Sequence, residues 1–453
     1  MYDFDVMVIG AGPAGYEVAS LLGTGGKSVC IIEKGETTVG GTCLNEGCVP
    51  AKNFLETSAY IKKEAYFRSC GVNHTASTLD MMTLQASTHC LIQDLKIGLL
   101  NKLKKSKVTI EYDTATFIDN HAIKLEDQNR HITAKDIVIA SGSSHRDHPL
   151  LKLQDETIIS SREVFKLKDI PKSILIIGGG AIGCEFASFF NALGSSVHIS
   201  EFASRLVANE DDDVSRALKR EFEKKDITID LNANVTNYHV NENGVEVTVD
   251  KGKKVETQTF EKVLISIGRI PNTSALQLEQ VNIEQDRGYI EVNDNLQCLN
   301  HNNIYAIGDV LKTPALAHVA YYEAKRVAQH ILGKETFSGD YIFPWVTFCT
   351  PQIASIGKSE KVLKENGIKF KNKKLFFKTN AKAKIKGDDS GFIKVLYDEE
   401  TSLILGASII GNDATELIHQ FLIAINANLG LNDLEKMIFA HPTLSESSLD
   451  LIG

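Results

Sequence analysis

Cysteine is scarce in this chain. Eight in 453 residues are too few and too scattered for a disulfide-stapled framework. Excess positive charge is absent: the net charge is -9, which leaves no electrostatic footprint for nucleic acid. The short lysine-rich stretches, Lys102 to Lys107 and Lys369 to Lys378, read as solvated faces. No apolar run reaches the roughly 18 residues that a membrane span requires. At the N-terminus, Asp3 and Asp5 precede an apolar run, Val6 to Ile9, that enters a glycine-rich turn directly. That leaves no room for a targeting segment, and a cytoplasmic location is expected. Proline is sparse, with nine residues, while 43% apolar and 24% charged residues are ordinary for a globular protein. The length exceeds one hydrophobic core, so two to four domains are expected.

What the chain does contain is one long internal repeat. DFDVMVIGAGPAGYEVASLLG followed by VCIIEK returns as KSILIIGGGAIGCEFASFFNALG followed by VHISEF. Each copy is a short apolar strand, a G-x-G-x-x-G turn, a helical pattern and a second strand ending in glutamate. The spacing from Gly10 to Glu33 equals that from Gly178 to Glu201, 23 residues in both. Two such copies with the acid at the right distance point to two dinucleotide sites. Gly10 and Gly178 permit the tight turn, Gly12 and Gly180 let backbone approach a pyrophosphate, and Gly15 and Gly183 let helix pack on strand. The helix N-termini offer unpaired N–H groups to phosphate, and Glu33 and Glu201 can accept from ribose hydroxyls.

Further buried-strand runs end at glycine. Ile137 to Ala140 leads into Ser141-Gly142, Lys262 to Asn272 carries IGRIPN, and Asn303 to Val310 places Asp309 at a strand's carboxyl end. The polar segment Ser143 to Lys152 suits a crossing between domains. GVEVTV, Gly244 to Val249, alternates as a half-buried strand. From about Thr336 the glycine fingerprints cease, and a separate C-terminal domain is expected.

The run GGTCLNEGCVPAK, Gly40 to Lys52, holds Cys43 and Cys48. In one continuous helix their Cα atoms would lie about 8 to 9 Å apart, beyond the roughly 7 Å limit for a disulfide. Gly40, Gly41 and Gly47 loosen the backbone, and Pro50 suits a helix first turn. A pair at a helix start can close, and the helix end favours thiolate there. In a reducing compartment such a pair is catalytic more often than structural. Zinc is the other option, but no second ligand pair of the usual spacing accompanies it, and no metal is expected. Cys30 sits in a strand-like run, and Cys70, Cys90, Cys184, Cys298 and Cys349 are isolated; all six read as structural. Lys52 lies one helical turn beyond Cys48, with Glu185 as its candidate partner. Thiol exchange also needs a base. FAHPTLSE supplies His441, pinned by Pro442, with Glu446 five residues on to fix its tautomer. Of the other twelve histidines, His318 is the least firmly structural.

End to end, these motifs resemble the pyridine nucleotide–disulfide oxidoreductases, and within them the dihydrolipoyl dehydrogenase type. The resemblance implies an α/β chain with two Rossmann-like dinucleotide-binding domains, for FAD and NAD, plus a C-terminal α+β dimerisation domain. The expected boundaries are 1–147 and 269–335 for the FAD-binding and central parts, 148–268 for NAD and 336–453 for the interface. It implies that Cys43 is the thiol meeting substrate and Cys48 the charge-transfer thiol beside the flavin. Lys52 and Glu185 would pair near the flavin–nicotinamide contact. His441 with Glu446 would form an acid–base dyad supplied by the partner subunit of a homodimer. FAD would be held by Gly10, Gly12, Gly15, Glu33, Lys52, Ser141, Gly142, Asp309, Ala317 and His318. NAD would be held by Gly178, Gly180, Gly183, Glu201, Gly268 and Arg269.

Glu201 favours the free 2′-hydroxyl of NAD over the 2′-phosphate of NADP, and Arg205 has Asp211 to Asp213 as a simpler ion-pair partner. No cysteine follows Cys349, unlike mercuric reductases and selenium-type thioredoxin reductases, which carry a terminal redox pair. The expected reaction is oxidation of dihydrolipoamide on a lipoyl carrier, from a 2-oxoacid dehydrogenase complex or a glycine-cleavage system, with reduction of NAD. Phe439 stands where the type often has a first histidine, Gln352 replaces the commoner glutamate, and the chain stops seven residues after Glu446. Two alternatives follow: an NADH-driven reductase of another disulfide or small oxidant, and a non-turnover flavoprotein serving as a redox sensor or structural subunit.

Overall fold

The computed structural model describes all residues except 74, 76, 155, 336–340 and 452–453. The interface boundary expected near Thr336 lies outside the described residues. The chain divides into two compact units. The fold is mixed α/β, with the two strand–turn–helix repeats in different units.

The first unit comprises Met1–Ala51, Gln85–Arg146 and Arg269–Tyr341. Its sheet runs Thr109–Tyr112, Val29–Glu33, Phe4–Ile9, Arg130–Ile139, Ala122–Leu125, Ala115–Asp119, and Ile304–Ala306 also pairs with Arg130–Ile139. The first repeat's strands pair in parallel, Val6 against Val29 and Ile9 against Ile32. Ile9 also faces Ile139. Val6, Met7, Val8, Val29 and Ile31 are all fully buried. Such uninterrupted apolar runs are required where a parallel sheet is covered on both faces. The helix Pro13–Thr24, with Gly12 as its N-cap, packs against Ala317–Ile331.

The second unit comprises Lys52–Leu84, Asp147–Gly268 and Ile342–Gly453. Its parallel sheet is ordered Thr228–Leu231, Ser196–Glu201, Ser173–Ile177, Lys262–Ile265, Ile158–Ser160. GVEVTV forms the middle of a three-stranded antiparallel sheet, Gly244–Asp250. The C-terminal part builds a five-stranded antiparallel sheet from Trp345 to Gly411, with helix Ala414–Asn426 packed on it. Within this unit the ammonium of Lys394, 2% exposed, is surrounded by Asp211 at 2.7 Å, Asp213 at 2.8 Å and Glu360 at 3.2 Å. A buried cation is tolerable only with such compensation. Among the described residues no helix is long and apolar enough to cross a membrane, and no cluster of His, Cys, Asp or Glu is arranged for a metal ion.

Candidate redox and nucleotide sites

The two glycine turns have the same construction. Gly10 has φ +101° and Gly178 φ +105°, and a Cβ at either would lie 2.5 Å from a carbonyl oxygen, of Ala140 or Ser266. A Cβ on Gly15 or Gly183 would stand 1.9 Å from the carbonyl oxygen of Gly10 or Gly178, so helix and strand touch there. The middle glycines differ. Around Gly12 the nearest atom to such a Cβ is Gly41 Cα at 3.9 Å, and around Gly180 nothing lies within 4 Å. Each turn therefore leaves room for a pyrophosphate at the N-terminus of a helix of 12 residues.

The terminal glutamates are held by the turns they face. Glu33 Oε2 accepts from the Ala11 N–H at 2.6 Å, and Oε1 from Lys34 N–H at 3.0 Å and Thr38 Oγ1 at 2.7 Å. Glu201 Oε2 accepts from Gly179 N–H, and Oε1 from Ala203 N–H at 2.6 Å. These bonds fix both carboxylates beside the glycine loops, and the geometry fits a dinucleotide in each. Arg205 is paired with Asp212 and donates to Ala208 O at 2.7 Å, as the ion-pair reading expected.

The chain between the two cysteines is not one helix. Cys43 is half-buried within the short helix Gly41–Asn45, entered through Gly40 at φ +95° and Gly41 at φ +62°. Glu46 and Gly47 interrupt it. Cys48, exposed, opens the helix Cys48–Ser69, with Pro50 in its first turn. Asn45 clips the short helix by donating from Nδ2 to Gly41 O at 2.8 Å and Val39 O at 3.1 Å. Gly40 N–H donates to Ala11 O at 2.9 Å, which ties the cysteine loop to the first glycine turn. Cys30, Cys184, Cys298 and Cys349 are buried, where burial raises their thiol pKa values and keeps them protonated.

Lys52 and Glu185 do pair. Lys52 Nζ donates to Oε1 at 3.0 Å and Oε2 at 2.9 Å. Glu185 Oε1 also accepts from the Phe348 N–H at 2.9 Å, and the Phe348 ring centroid lies 4.7 Å from Lys52 Nζ. Nothing in the sequence pointed to Phe348.

Asp309 Oδ2 accepts from Ser143 Oγ at 2.5 Å, with Arg269 Nε at 3.8 Å. Arg269 also donates from Nε to Ser143 Oγ at 2.7 Å. The structure thus places Arg269 in the first unit with Asp309, whereas Gly268 closes a segment of the second. Ser141 Oγ donates to Asn272 O at 2.7 Å, and Asn272 Nδ2 to Ser141 O at 3.1 Å. Gly142, at φ +71°, opens onto empty space, and Ala317 and His318 begin the helix Ala317–Ile331. The preceding Gly308 donates its N–H to Glu323 Oε2 at 2.6 Å. Glu323 is fully buried, and burial pushes its pKa up to about 7. Tyr16 and Tyr321 share a hydroxyl–hydroxyl bond, and burial raises the pKa of both. Glu323 and Tyr321 carried no sequence signal, and Ser143 and Asn272 gain their contacts only from partners 166 and 131 residues away.

His441 Nδ1 lies 2.8 Å from Glu446 Oε2. Thr443 braces the loop, donating from Oγ1 to Ala440 O at 2.8 Å and from its N–H to Glu446 Oε1 at 3.4 Å. The imidazole is 74% exposed while its carboxylate is 15% exposed, so the ring is fixed at one nitrogen and presented at the other.

The pyridine nucleotide-disulphide oxidoreductase model matches residues 4–324, and the dimerisation domain of the same family matches residues 343–451. Dihydrolipoyl dehydrogenase 1, mitochondrial, of Arabidopsis thaliana is 35% identical over 453 residues, covering 98% of this chain and 88% of that protein. The dihydrolipoyl dehydrogenase of Geobacillus stearothermophilus is 34% identical over 451 residues, covering 98% and 95%. Among solved structures, the HOCl-induced flavoprotein disulfide reductase RclA from Escherichia coli superposes with a TM-score of 0.88 at 28% identity, covering 99% of both chains.

Proposed function

Since the chain belongs to the pyridine nucleotide-disulphide oxidoreductase family, whose cofactors are FAD and NAD, we propose that it oxidises dihydrolipoamide to lipoamide and reduces NAD. Its dimerisation domain supports a homodimer. The observation that carries the reading is a closely spaced thiol pair, Cys43 and Cys48, in a chain that also holds an imidazole fixed by a carboxylate at 2.8 Å. The names of the full-length relatives support the lipoyl substrate.

In the proposed reaction Cys43 and Cys48 start as a disulfide. His441 Nε2, free to accept because Nδ1 is engaged by Glu446, takes the proton of one substrate thiol. The thiolate attacks Cys43 Sγ, the Cys43–Cys48 bond breaks, and Cys48 leaves as thiolate. The second substrate thiol then attacks the substrate sulfur bound to Cys43, its proton passing to the departing Cys43 thiolate, and the cyclic disulfide is released. FAD, when bound, supplies the two-electron carrier between the Cys48 thiolate and NAD. Gly10, Gly12, Gly15, Glu33, Ser141, Gly142, Asp309, Ala317 and His318 would hold FAD. Gly178, Gly180, Gly183, Glu201 and Gly268 would hold NAD, whereas Arg269, bonded to Ser143 and Asp309, would belong with the FAD set. Lys52 and Glu185 would provide fixed charge at the contact between the two. The partner would be a lipoyl carrier.

Anaerobic addition of dihydrolipoamide should give a long-wavelength charge-transfer band, and NAD should then discharge it as NADH. His441→Gln should slow the dithiol step by about 10²-fold or more and leave reduction of the flavin by NADH unchanged. Full lipoamide turnover by Cys48→Ser would refute the mechanism. A second reading, NADH-driven reduction of another disulfide or a small oxidant, is favoured by the full-length likeness to a flavoprotein disulfide reductase and by Phe439. Faster turnover of such oxidants than of dihydrolipoamide, side by side, would select it.

A further inference from the structure

Glu185 is 6% exposed and has three hydrogen-bond contacts: two from Lys52 and one from a backbone N–H 163 residues away, that of Phe348. The same Phe348 covers the other partner, its ring centroid 4.7 Å from Lys52 Nζ. The ammonium is therefore held between a carboxylate and a π face. That matters because the Lys52 side chain is still 34% exposed. A partly solvated lysine on a flexible stem gains little from one ion pair and loses rotamer freedom to make it. The negative face of the ring attracts the cation without neutralising it.

Phe348 is itself fixed from below. The next residue, Cys349, is fully buried. Thr350 donates its N–H to Ser188 Oγ at 3.0 Å, and its carbonyl accepts from Lys225 Nζ at 2.5 Å. Ser188 lies three residues beyond Glu185 on the helix Ala181–Ala192, so the segment 348–350 is bonded to that helix at two successive points. The Phe348 backbone cannot shift without breaking the bond to Glu185, and this fixes the point from which its ring reaches Lys52.

We propose that Phe348 is a positioning residue for the Lys52 ammonium, clamping it against Glu185 so that its charge stands at one fixed place during electron transfer between flavin and NAD. This rests on the reading of Lys52 and Glu185 as serving that contact. Phe348 itself touches neither substrate nor cofactor in the proposal.

Phe348→Leu keeps an apolar side chain and the backbone N–H and removes the π face, whereas Phe348→Tyr keeps the face. With the FAD-loaded dimer, stopped-flow reduction of the flavin by NADH should be about 5- to 10-fold slower in the leucine variant and within about twofold of the parent in the tyrosine variant. Reduction of the cysteine pair by dihydrolipoamide should be unaffected in both, a split that general loosening of the fold would not produce. Glu185→Gln is the reference. If it slows the NADH step while Phe348→Leu does not, the clamp is wrong and the reading of the pair stands. If Glu185→Gln leaves the NADH step unchanged, the reading of the pair falls and the clamp with it. Equal loss in both half-reactions of Phe348→Leu would reduce Phe348 to a packing residue and overturn the proposal.

Discussion

At the scale of single residues, Glu323 is a fully buried carboxyl with one backbone donor, the Gly308 N–H at 2.6 Å. Removal from water is the main cause that raises its pKa from 4.5 to about 7, with Asp309 adding repulsion. The folded state thus binds this proton more tightly than the unfolded chain. Its contribution to stability is complete below the unfolded value of 4.5 and is lost as pH rises through about 7. Glu323→Gln keeps an acceptor for Gly308 and cannot ionise. Its melting temperature relative to the parent should therefore rise between about pH 5 and about pH 8. Parallel melting curves across that range would show that Glu323 does not titrate in this window. This carboxyl was invisible in the sequence, where a glutamate in an amphipathic helix reads as solvated. The cysteine loop was legible, because glycine and proline act on the backbone where they stand.

At the scale of elements, the strand–turn–helix repeats separate two uses of glycine. Gly183 is an element contact, since any Cβ would lie 1.9 Å from the Gly178 carbonyl oxygen. Gly180 faces open space. Gly180→Ala should leave melting unchanged, since no protein atom lies within 4 Å of the added Cβ, and raise the KM for NAD by about tenfold if the nucleotide binds as proposed. Gly183→Ala should lower the melting temperature by several degrees, because helix and strand can no longer touch. Equal melting loss from both would mean that Gly180 serves the fold rather than the nucleotide. The repeats were readable because the constraint is local and recurs with the same spacing. The short helix around Cys43 was not, since five residues carry no helical period.

At the scale of the whole molecule, the exposure of His441 has a consequence for the dimer. An imidazole 74% exposed and braced by its own loop is built to meet something outside that loop. If the dyad is supplied across the homodimer, as the family resemblance implies, Cys43→Ser and His441→Gln chains, each deficient alone, should complement each other. A mixed dimer then contains one site with both parent residues and one with neither, so refolded mixtures should regain about a quarter of the parent activity, half of the dimers having one working site. No recovery, with mixed dimers verified by mass, would place the dyad and the thiols in the same chain.

The sequence by itself determined both dinucleotide turns, the break between Cys43 and Cys48, and the acids that end the repeats. Each follows from backbone constraints or periodicity over a few tens of residues. Tertiary structure alone decided what those groups touch. Glu185 owes its third contact to a residue 163 positions away, and Ser143 reaches Asp309 across 166. Arg269 joined Ser143 and Asp309 in the first unit because its strand pairs with Ser143–His145, a register that no local pattern records. Chain-local rules fix where a turn can form, whereas desolvation and long-range hydrogen bonds fix which side chains share a charge.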